Sequence, residues 1–413
     1  MKIHINNMSP DDDMENYLPR TIERELLKWL DDGYSVILVG PRQAGKTTLL
    51  KHLVEVRGGK YLSLDDPDIM ESLTNPKLFA RMLGGREFYL DEAQYDKDVG
   101  RKLKYLHDVE GYRFVASGSG SFDIKVRVSG ELVGRAARLV LLPLDFHEFV
   151  LWKDEKLAEI HSELREVAYR ILSGKEDEFP YPDVPQLRSL WDEYVLFGGY
   201  PRVVLSDGFD RKREILTQIL TAYLDRDVFG FLGVREHAKF TRTLRALAMT
   251  AGSILNKSHV AELSATTIHT LEGYISILEQ TFVVFRVYQY PFSASALRKQ
   301  PKIYFYDLGL RNAVLSEFSP LSERVVSAGA IVENFVARHL KQQFGEIHFW
   351  RSRSGAEVDF IVNNIPVEVK SGKRRSRAIH ALAERLGSPH KVIIRLGPAE
   401  RHGDAYLVPP WFL

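Results

Sequence analysis

The chain has 413 residues, no cysteine, and 56 Lys and Arg against 55 Asp and Glu, a formal net charge of +1. That length predicts roughly two to four domains. The missing cysteine excludes disulfides, thiol catalysis and cysteine-ligated zinc, and the balanced charge confines any nucleic-acid contact to local patches. The opening Met1-Lys2-Ile3-His4-Ile5 lacks the apolar stretch of a signal peptide, and no apolar run reaches bilayer-spanning length. The expectation is a cytoplasmic protein with no membrane partner.

Taken in chain order, Ser35-Val36-Ile37-Leu38-Val39 predicts a short buried strand and Thr48-Leu49-Leu50-Lys51-His52-Leu53 an opening helix. Between them Gly40-Pro41-Arg42-Gln43-Ala44-Gly45-Lys46-Thr47 fits the phosphate-loop pattern G-x-x-x-x-G-K-[ST]. A strand feeding a glycine-rich turn at a helix N-terminus aims backbone N–H groups and the positive helix end at one point, which suits polyphosphate. Gly40 to Thr48 is therefore the expected nucleotide-binding segment: Gly40, Pro41, Arg42, Gln43, Ala44, Gly45, Lys46, Thr47 and Thr48. Lys46 reaches the outer phosphates, and Thr47 Oγ holds Mg²⁺.

Tyr61-Leu62-Ser63-Leu64-Asp65-Asp66 predicts a second strand, and Phe88-Tyr89-Leu90-Asp91-Glu92 a third that ends in two acids. Asp91 is placed to bind Mg²⁺ through water and Glu92 to polarise the attacking water as general base. Such a pair points to ATP hydrolysis rather than nucleotide storage. Arg113-Phe114-Val115-Ala116-Ser117 runs into Gly118-Ser119. Ser117, or alternatively Ser119, is placed to sense the γ-phosphate or orient water. Arg135 is either an arginine finger, in cis or in trans, or a plain surface arginine. Leu139 to Leu144 reads as the last strand, closed by Pro143. This βα alternation predicts an α/β fold, with a P-loop parallel-sheet ATPase core over residues 1–149.

Residues 150–250 read as a helical connector, irregular near Phe179-Pro180-Tyr181-Pro182. Within it, Leu196-Phe197-Gly198-Gly199-Tyr200-Pro201 predicts a tight turn needing unusual dihedrals and close packing. Residues 251–295 read as winged-helix-like. Val260-Ala261-Glu262-Leu263 and the Ile268, Leu271, Ile275, Leu278 spacing predict helix-turn-helix, and Phe282 to Val287 a strand. Such helices enter the DNA major groove in many regulators. This one exposes Thr266, Thr267, His269, Thr270, Glu272 and Ser276 with no Lys or Arg, so a packing or protein-interaction module is the favoured reading. Tyr290 to Pro301 reads as an exposed junction between folding units.

Residues 300–413 carry a second constellation. Gly355 to Val362 and Ile365 to Lys370 predict a hairpin around Asn363-Asn364. The two-residue period puts Glu368 and Lys370 on one face, with Asp359 able to lie opposite. Glu333, on the predicted helix Ile331 to Val336, adds an acid. Two carboxylates and a lysine are what a Mg²⁺-dependent nuclease requires: Asp359, Glu368 and Glu333 as metal ligands, and Lys370 positioning water. An ion pair between Glu368 and Lys370 is the structural alternative. Arg351, Arg353, Lys373, Arg374, Arg375 and Arg377 are placed to hold a phosphate backbone.

The phosphate loop, Leu90-Asp91-Glu92-Ala93-Gln94, Gly118-Ser119, Leu132-Val133-Gly134-Arg135, Pro143-Leu144-Asp145-Phe146-His147-Glu148-Phe149 and Phe197-Gly198-Gly199-Tyr200-Pro201 together resemble one family. So do Glu333-Asn334-Phe335-Val336, Gly355 to Phe360 and Val367-Glu368-Val369-Lys370-Ser371-Gly372. These are the bacterial and archaeal AAA-like ATPases whose C-terminal half ends in a PD-(D/E)XK-nuclease-like domain, and the resemblance covers nearly the whole chain. It implies ATP and Mg²⁺ as cofactors, nucleotide hydrolysis, and an ATPase core joined to a winged helix. Two classes of function follow. One is an ATP-powered DNA-processing enzyme. The other is an ATP-dependent switch, alone or as a homo-oligomer, whose C-terminal domain only recognises nucleic acid or a partner protein.

Overall fold

The computed structural model describes residues 17–118, 120, 130–176, 178, 181–291, 299–324, 328–370 and 377–413. Ser119, Phe179, Pro180, Lys373, Arg374, Arg375 and the Ser371-Gly372 pair lie outside the described residues. The chain forms two compact units. One holds described residues up to Gly40 and from Gly45 to Leu141; the other holds Pro41–Ala44 and Leu142–Leu413.

In the first unit, helix α1 (Thr21–Asp31) precedes strand β1 (Ser35–Val39), which leads to α2 (Lys46–Arg57) and β2 (Lys60–Ser63). Then come β3 (Glu87–Asp91), α3 (Val99–Asp108), β4 (Arg113–Gly118) and β5 (Ala136–Val140). The strand order is β2-β3-β4-β1-β5, and every pairing is parallel. Each residue of β1 is buried, as the continuous apolar run requires of a strand covered on both faces. Leu26 and Leu30 of α1 and Leu49, Leu50 and Leu53 of α2 pack with Val36, Leu38, Tyr89 and Val115. Residue Arg20 gives α1 no side-chain cap. The two leucines, worth roughly 1.5–3 kcal/mol each when buried, hold it instead. Because the strands run parallel, the C-terminal ends of β1, β3 and β4 all lie at one edge of the sheet.

The second unit opens with α4 (Phe146–Lys153), whose start is fixed by a capping box between Asp145 and Glu148. Helices α5 (Glu155–Leu172), α6 (Pro185–Phe197), α7 (Phe209–Ala222) and α8 (His237–Met249) follow. Next are α9 (Lys257–Leu263), α10 (Ile268–Gln280), β6 (Val284–Gln289), β7 (Lys302–Phe305), α11 (Leu308–Leu315) and α12 (Ala328–Phe344). Last come β8 (His348–Arg351), β9 (Glu357–Val362), β10 (Ile365–Lys370), α13 (Arg377–Leu386), β11 (Lys391–Arg395), β12 (Glu400–His402) and β13 (Ala405–Val408).

These strands form a mixed sheet of order β12-β13-β11-β10-β9-β8-β6-β7. The expected junction between residues 290 and 301 does not divide the unit. β6 pairs with β7 on one side and, in parallel, with β8 on the other, so backbone hydrogen bonds run through the expected boundary. The segments expected as 150–250, 251–295 and 300–413 are one compact unit that begins at Leu142. The outer side of β7 is also occupied. Gly252 N–H donates to Ile303 O (2.9 Å) and Leu255 N–H to Pro301 O (2.8 Å). The Asn334 carboxamide both accepts from Phe305 N–H and donates to Phe305 O, each at 2.8 Å.

The turn after α6 has the strained geometry its two glycines predict. Gly198 has φ +73°. A Cβ on Gly199 would lie 2.1 Å from Leu144 O, and one on Gly309 would lie 2.0 Å from Phe197 O. Asp307 ties these pieces together, accepting from Gly199 N–H and from Leu310 N–H at the start of α11, both at 2.8 Å. Arg338 of α12 closes the neighbouring corner by donating to Pro143 O (2.6 Å) and Leu144 O (3.0 Å).

Three histidines are buried or half-buried near this corner. His147 Nδ1 and His161 Nδ1 are 3.0 Å apart, and His339 Nε2 accepts from Phe146 N–H at 3.3 Å. Burial, with Arg165 and Arg338 nearby, holds all three below the ordinary histidine value against the pull of Asp145 and, for His339, of the Phe335 carbonyl; His339 falls to about 3. The unfolded chain therefore takes up these protons first. The stability these histidines contribute is full above about pH 6.5 and is lost as pH drops from there toward 3. The urea midpoint should decline between pH 7 and pH 5, and His161→Phe should make that decline shallower. An unchanged slope would remove His161 from the explanation.

Candidate functional site

Gly40 follows β1 where no side chain fits, since a Cβ would meet Leu141 O at 2.0 Å. Gly45, at φ +98°, forms the N-cap of α2. α2 then starts at Lys46, followed by Thr47 and Thr48, so its free N–H groups face the loop. Lys46 is buried and its Nζ donates to Gly40 O at 3.0 Å, curled over the loop. Pro41, Arg42, Gln43 and Ala44 group with the second unit, where Arg42 Nε lies 2.5 Å from Asp227 Oδ1 and Arg202 donates to Gln43 Oε1 at 3.2 Å.

Asp91, at the end of β3, is the centre of the first unit's polar network. Its Oδ2 accepts from Thr47 Oγ1 (2.6 Å) and Tyr61 OH (3.0 Å), and its Oδ1 from Ser117 and from Glu92 N–H (3.0 Å). Burial and the Asp91 carboxylate hold the Tyr61 hydroxyl far above its ordinary value, so it stays a donor. Ser117 is fully buried, and its hydroxyl is spent on Asp91. In this arrangement it orients the acid. Glu92 sits at φ +52°, a left-handed conformation uncommon outside glycine, and accepts from the Gln94 carboxamide. The sequence reading missed Tyr61 and Gln94. Tyr61 pairs in register with Tyr89, two residues before Asp91, which was the available signal.

Arg135 does not fit the cis arginine-finger reading and does fit that of a surface arginine. It precedes β5 at the edge where the strands begin, with its carbonyl accepting from Ser35 N–H at 2.9 Å. The phosphate loop follows the far end of β1, roughly 13 Å along the strand. Its guanidinium is paired with Asp108 at 2.7 Å. Within its own chain it does not face the loop.

In the second unit the hairpin forms as expected, with Asn363 and Asn364 both at positive φ and the register Val367↔Phe360. Glu368 and Asp359 come next along the two strands, and the Glu368 carboxylate is near enough to help raise Asp359. Asp359 Oδ2 accepts from Val369 N–H at 2.8 Å, and Glu368 Oε1 lies 3.5 Å from Lys370 Nζ. Glu333 of α12 joins the group. At its centre is a residue the sequence reading missed. Lys302 Nζ lies 2.9 Å from Glu333, 2.7 Å from Glu357 and 3.7 Å from Asp359, while Tyr304 OH donates to Glu333 at 2.6 Å. The alternation Lys302, Tyr304 along β7 was the signal. Burial, then the Glu333 carboxylate, push Asp359 up to about 7 against the pull of Lys302. Among the described residues no group of three or more His, Asp or Glu side chains is arranged to hold a metal ion. Arg351 and Arg353 are exposed.

Helices α9 and α10 are joined by a short turn, with Thr267 capping α10, and are followed by the β6–β7 hairpin. Glu272 on α10 pairs with Lys257 (2.7 Å) and Arg286 (3.0 Å). No described helix is long and apolar enough to cross a membrane.

Residues 32–150 match the AAA domain family. Residues 188–321 match a domain of unknown function (DUF8612), and residues 328–409 another (DUF4143). An uncharacterized protein of Methanocaldococcus jannaschii is 25% identical over 391 residues, 87% of this chain and 80% of that one. One of Mycobacterium tuberculosis is 28% identical over 336 residues, 79% of this chain and 67% of that one. The Walker-type ATPase of Pyrococcus abyssi aligns with a TM-score of 0.51 at 15% identity, covering 75% of this chain and 99% of that chain. At that identity the likeness is one of fold. The first unit thus has a parallel-sheet fold that resembles the P-loop ATPases, and the second unit is built on a mixed sheet.

Proposed function

We propose that the chain binds ATP with Mg²⁺ and hydrolyses it. The observation that carries this reading is the convergence of Lys46, Thr47, Asp91 and Glu92 at the strand-end edge of one parallel sheet. The oxygen donors fit a hard divalent ion: Thr47 Oγ1 and the Asp91 carboxylate already lie 2.6 Å apart. Thr47 and Asp91 would hold Mg²⁺, which when bound neutralises charge on the β- and γ-phosphates. Lys46 supplies a positive charge to the outer phosphates once its ammonium leaves Gly40 O. Ser117 and Tyr61 keep the Asp91 carboxylate oriented. Glu92 accepts a proton from the attacking water, its carboxylate steered by Gln94. Phosphate release from ATP with the purified protein tests this. Activity should need Mg²⁺ and stop with a chelator; persistent hydrolysis in excess chelator would count against Thr47 and Asp91 as a metal site.

For the second unit two readings are supported by different observations. Convergence of Asp359, Glu368, Lys370 and Glu333 supports a nuclease-like site acting in DNA processing. Occupation of the centre of that group by Lys302 supports a unit that recognises nucleic acid or a partner protein without cutting, with ATP hydrolysis as a switch. The second reading is the one we adopt, since metal-assisted cleavage needs carboxylate oxygens that Lys302 and Tyr304 already engage. A plasmid nicking assay with Mg²⁺ or Mn²⁺, with and without ATP, separates them. Intact plasmid is expected; nicks that Lys370→Ala removes would restore the nuclease reading.

A further inference from the structure

We infer that Lys302 is the resident cation of the acidic cluster, occupying the place a divalent ion would take and excluding one. This rests on the non-cleaving reading of the second unit and gives it a physical cause. Four carboxylates, those of Glu333, Glu357, Asp359 and Glu368, gather on one side of β9 and β10 and on α12. Acids brought this close repel one another unless a cation or a proton offsets them. The fold supplies both lysines itself. Lys370 serves Glu368 at 3.5 Å. Lys302 serves the other three, and it is 1% exposed, so its ammonium has traded its water shell for their oxygens.

The lysine is built in, not a surface side chain that has swung over. It sits on β7 between the β6 ladder and the Gly252–Leu255 segment, with backbone pairing on both sides. Its ammonium also lies over the Phe349 ring at 5.6 Å. Glu333 Oε1, the oxygen nearest Lys302, takes a second donor from Tyr304 OH at 2.6 Å, and Asp359 Oδ2 is held by Val369 N–H. A divalent ion entering this group would place two positive charges beside an ammonium that cannot retreat to water. An ammonium also supplies neither the Lewis acidity nor the metal-bound water that phosphodiester cleavage draws on. The group is thereby a fixed internal charge balance joining β7, α12 and β9.

The test is Mn²⁺ binding by calorimetry to the full chain without nucleotide, comparing wild type, Asp359→Asn and Lys302→Met. Any Mn²⁺ held at the phosphate loop is a common background. Wild type and Asp359→Asn should be indistinguishable. Lys302→Met should gain a site at least tenfold tighter than any in wild type, and adding Asp359→Asn should abolish it. Asp359-dependent Mn²⁺ binding in wild type, or a folded Lys302→Met that gains nothing, overturns the inference. If Lys302→Met does not fold, the comparison of wild type with Asp359→Asn decides alone. Nicking that survives Asp359→Asn would defeat the non-cleaving reading while leaving Lys302 in its assigned place.

Discussion

Glu92→Gln should leave ATP binding intact and slow hydrolysis by about 10²- to 10⁴-fold, the usual contribution of a positioned general base. The amide keeps the shape of the side chain but cannot take the proton of the attacking water. Lys46→Ala should behave differently and lose binding. Its buried ammonium is the charge provided inside the turn by the first unit, and it already points along the loop at Gly40 O. Fluorescent-nucleotide titration beside phosphate release separates the two outcomes. A Glu92→Gln protein that hydrolyses at the wild-type rate would remove Glu92 from the mechanism. Ser117→Ala belongs to the same test, since loss of its bond to Asp91 should weaken Mg²⁺-dependent turnover more than nucleotide binding.

The second large effect concerns stability. Gly199→Ala should destabilise the second unit by on the order of 4 kcal/mol or more, because the new methyl would sit 2.1 Å from the Leu144 carbonyl oxygen. That neighbour is backbone, held by Arg338 and Tyr194, and cannot step aside. Asp307→Ala should cost less, about 2–4 kcal/mol. It leaves Gly199 N–H and Leu310 N–H buried without their acceptor but creates no overlap. Denaturant midpoints of the two variants check the order; a Gly199→Ala protein as stable as wild type would mean the turn relaxes freely.

Much of the first unit was legible because its signals are local. The Ser35–Val39 strand, the glycine at the helix start and the acid pair after Leu90 each declare themselves within about ten residues, and a parallel sheet then brings the strand ends together. The bond from Ser117 to Asp91 was not legible, since the sequence gives no sign that its hydroxyl turns to that acid. Arg135 stayed open between a finger and a surface arginine because a Gly-Arg pair looks the same at either end of a strand. In the second unit the hairpin around Asn363-Asn364 and the strained Gly198-Gly199 turn were readable from turn chemistry. The shared sheet was not. Pairing of β6 with β8 joins residues sixty positions apart, and neither strand's composition encodes its partner. Lys302 was hidden for the same reason: its acids lie 31, 55 and 57 residues further along the chain.

The bonding of the Asn334 carboxamide, from α12, to Phe305 of β7 bears on how this protein could meet others. A sheet of this size invites strand addition at its edges, by a peptide or by a second copy. Here Asn334 and the Gly252–Leu255 segment consume the outward hydrogen-bonding groups of β7, and the opposite edge, β12, is three residues long and reads Glu400-Arg401-His402. One edge is capped and the other is short and charged, so backbone-templated association is discouraged at both. Under the partner-recognising reading proposed above, contact would fall to side chains on its helices and loops, where partner choice is written in chemistry that a foreign strand cannot imitate.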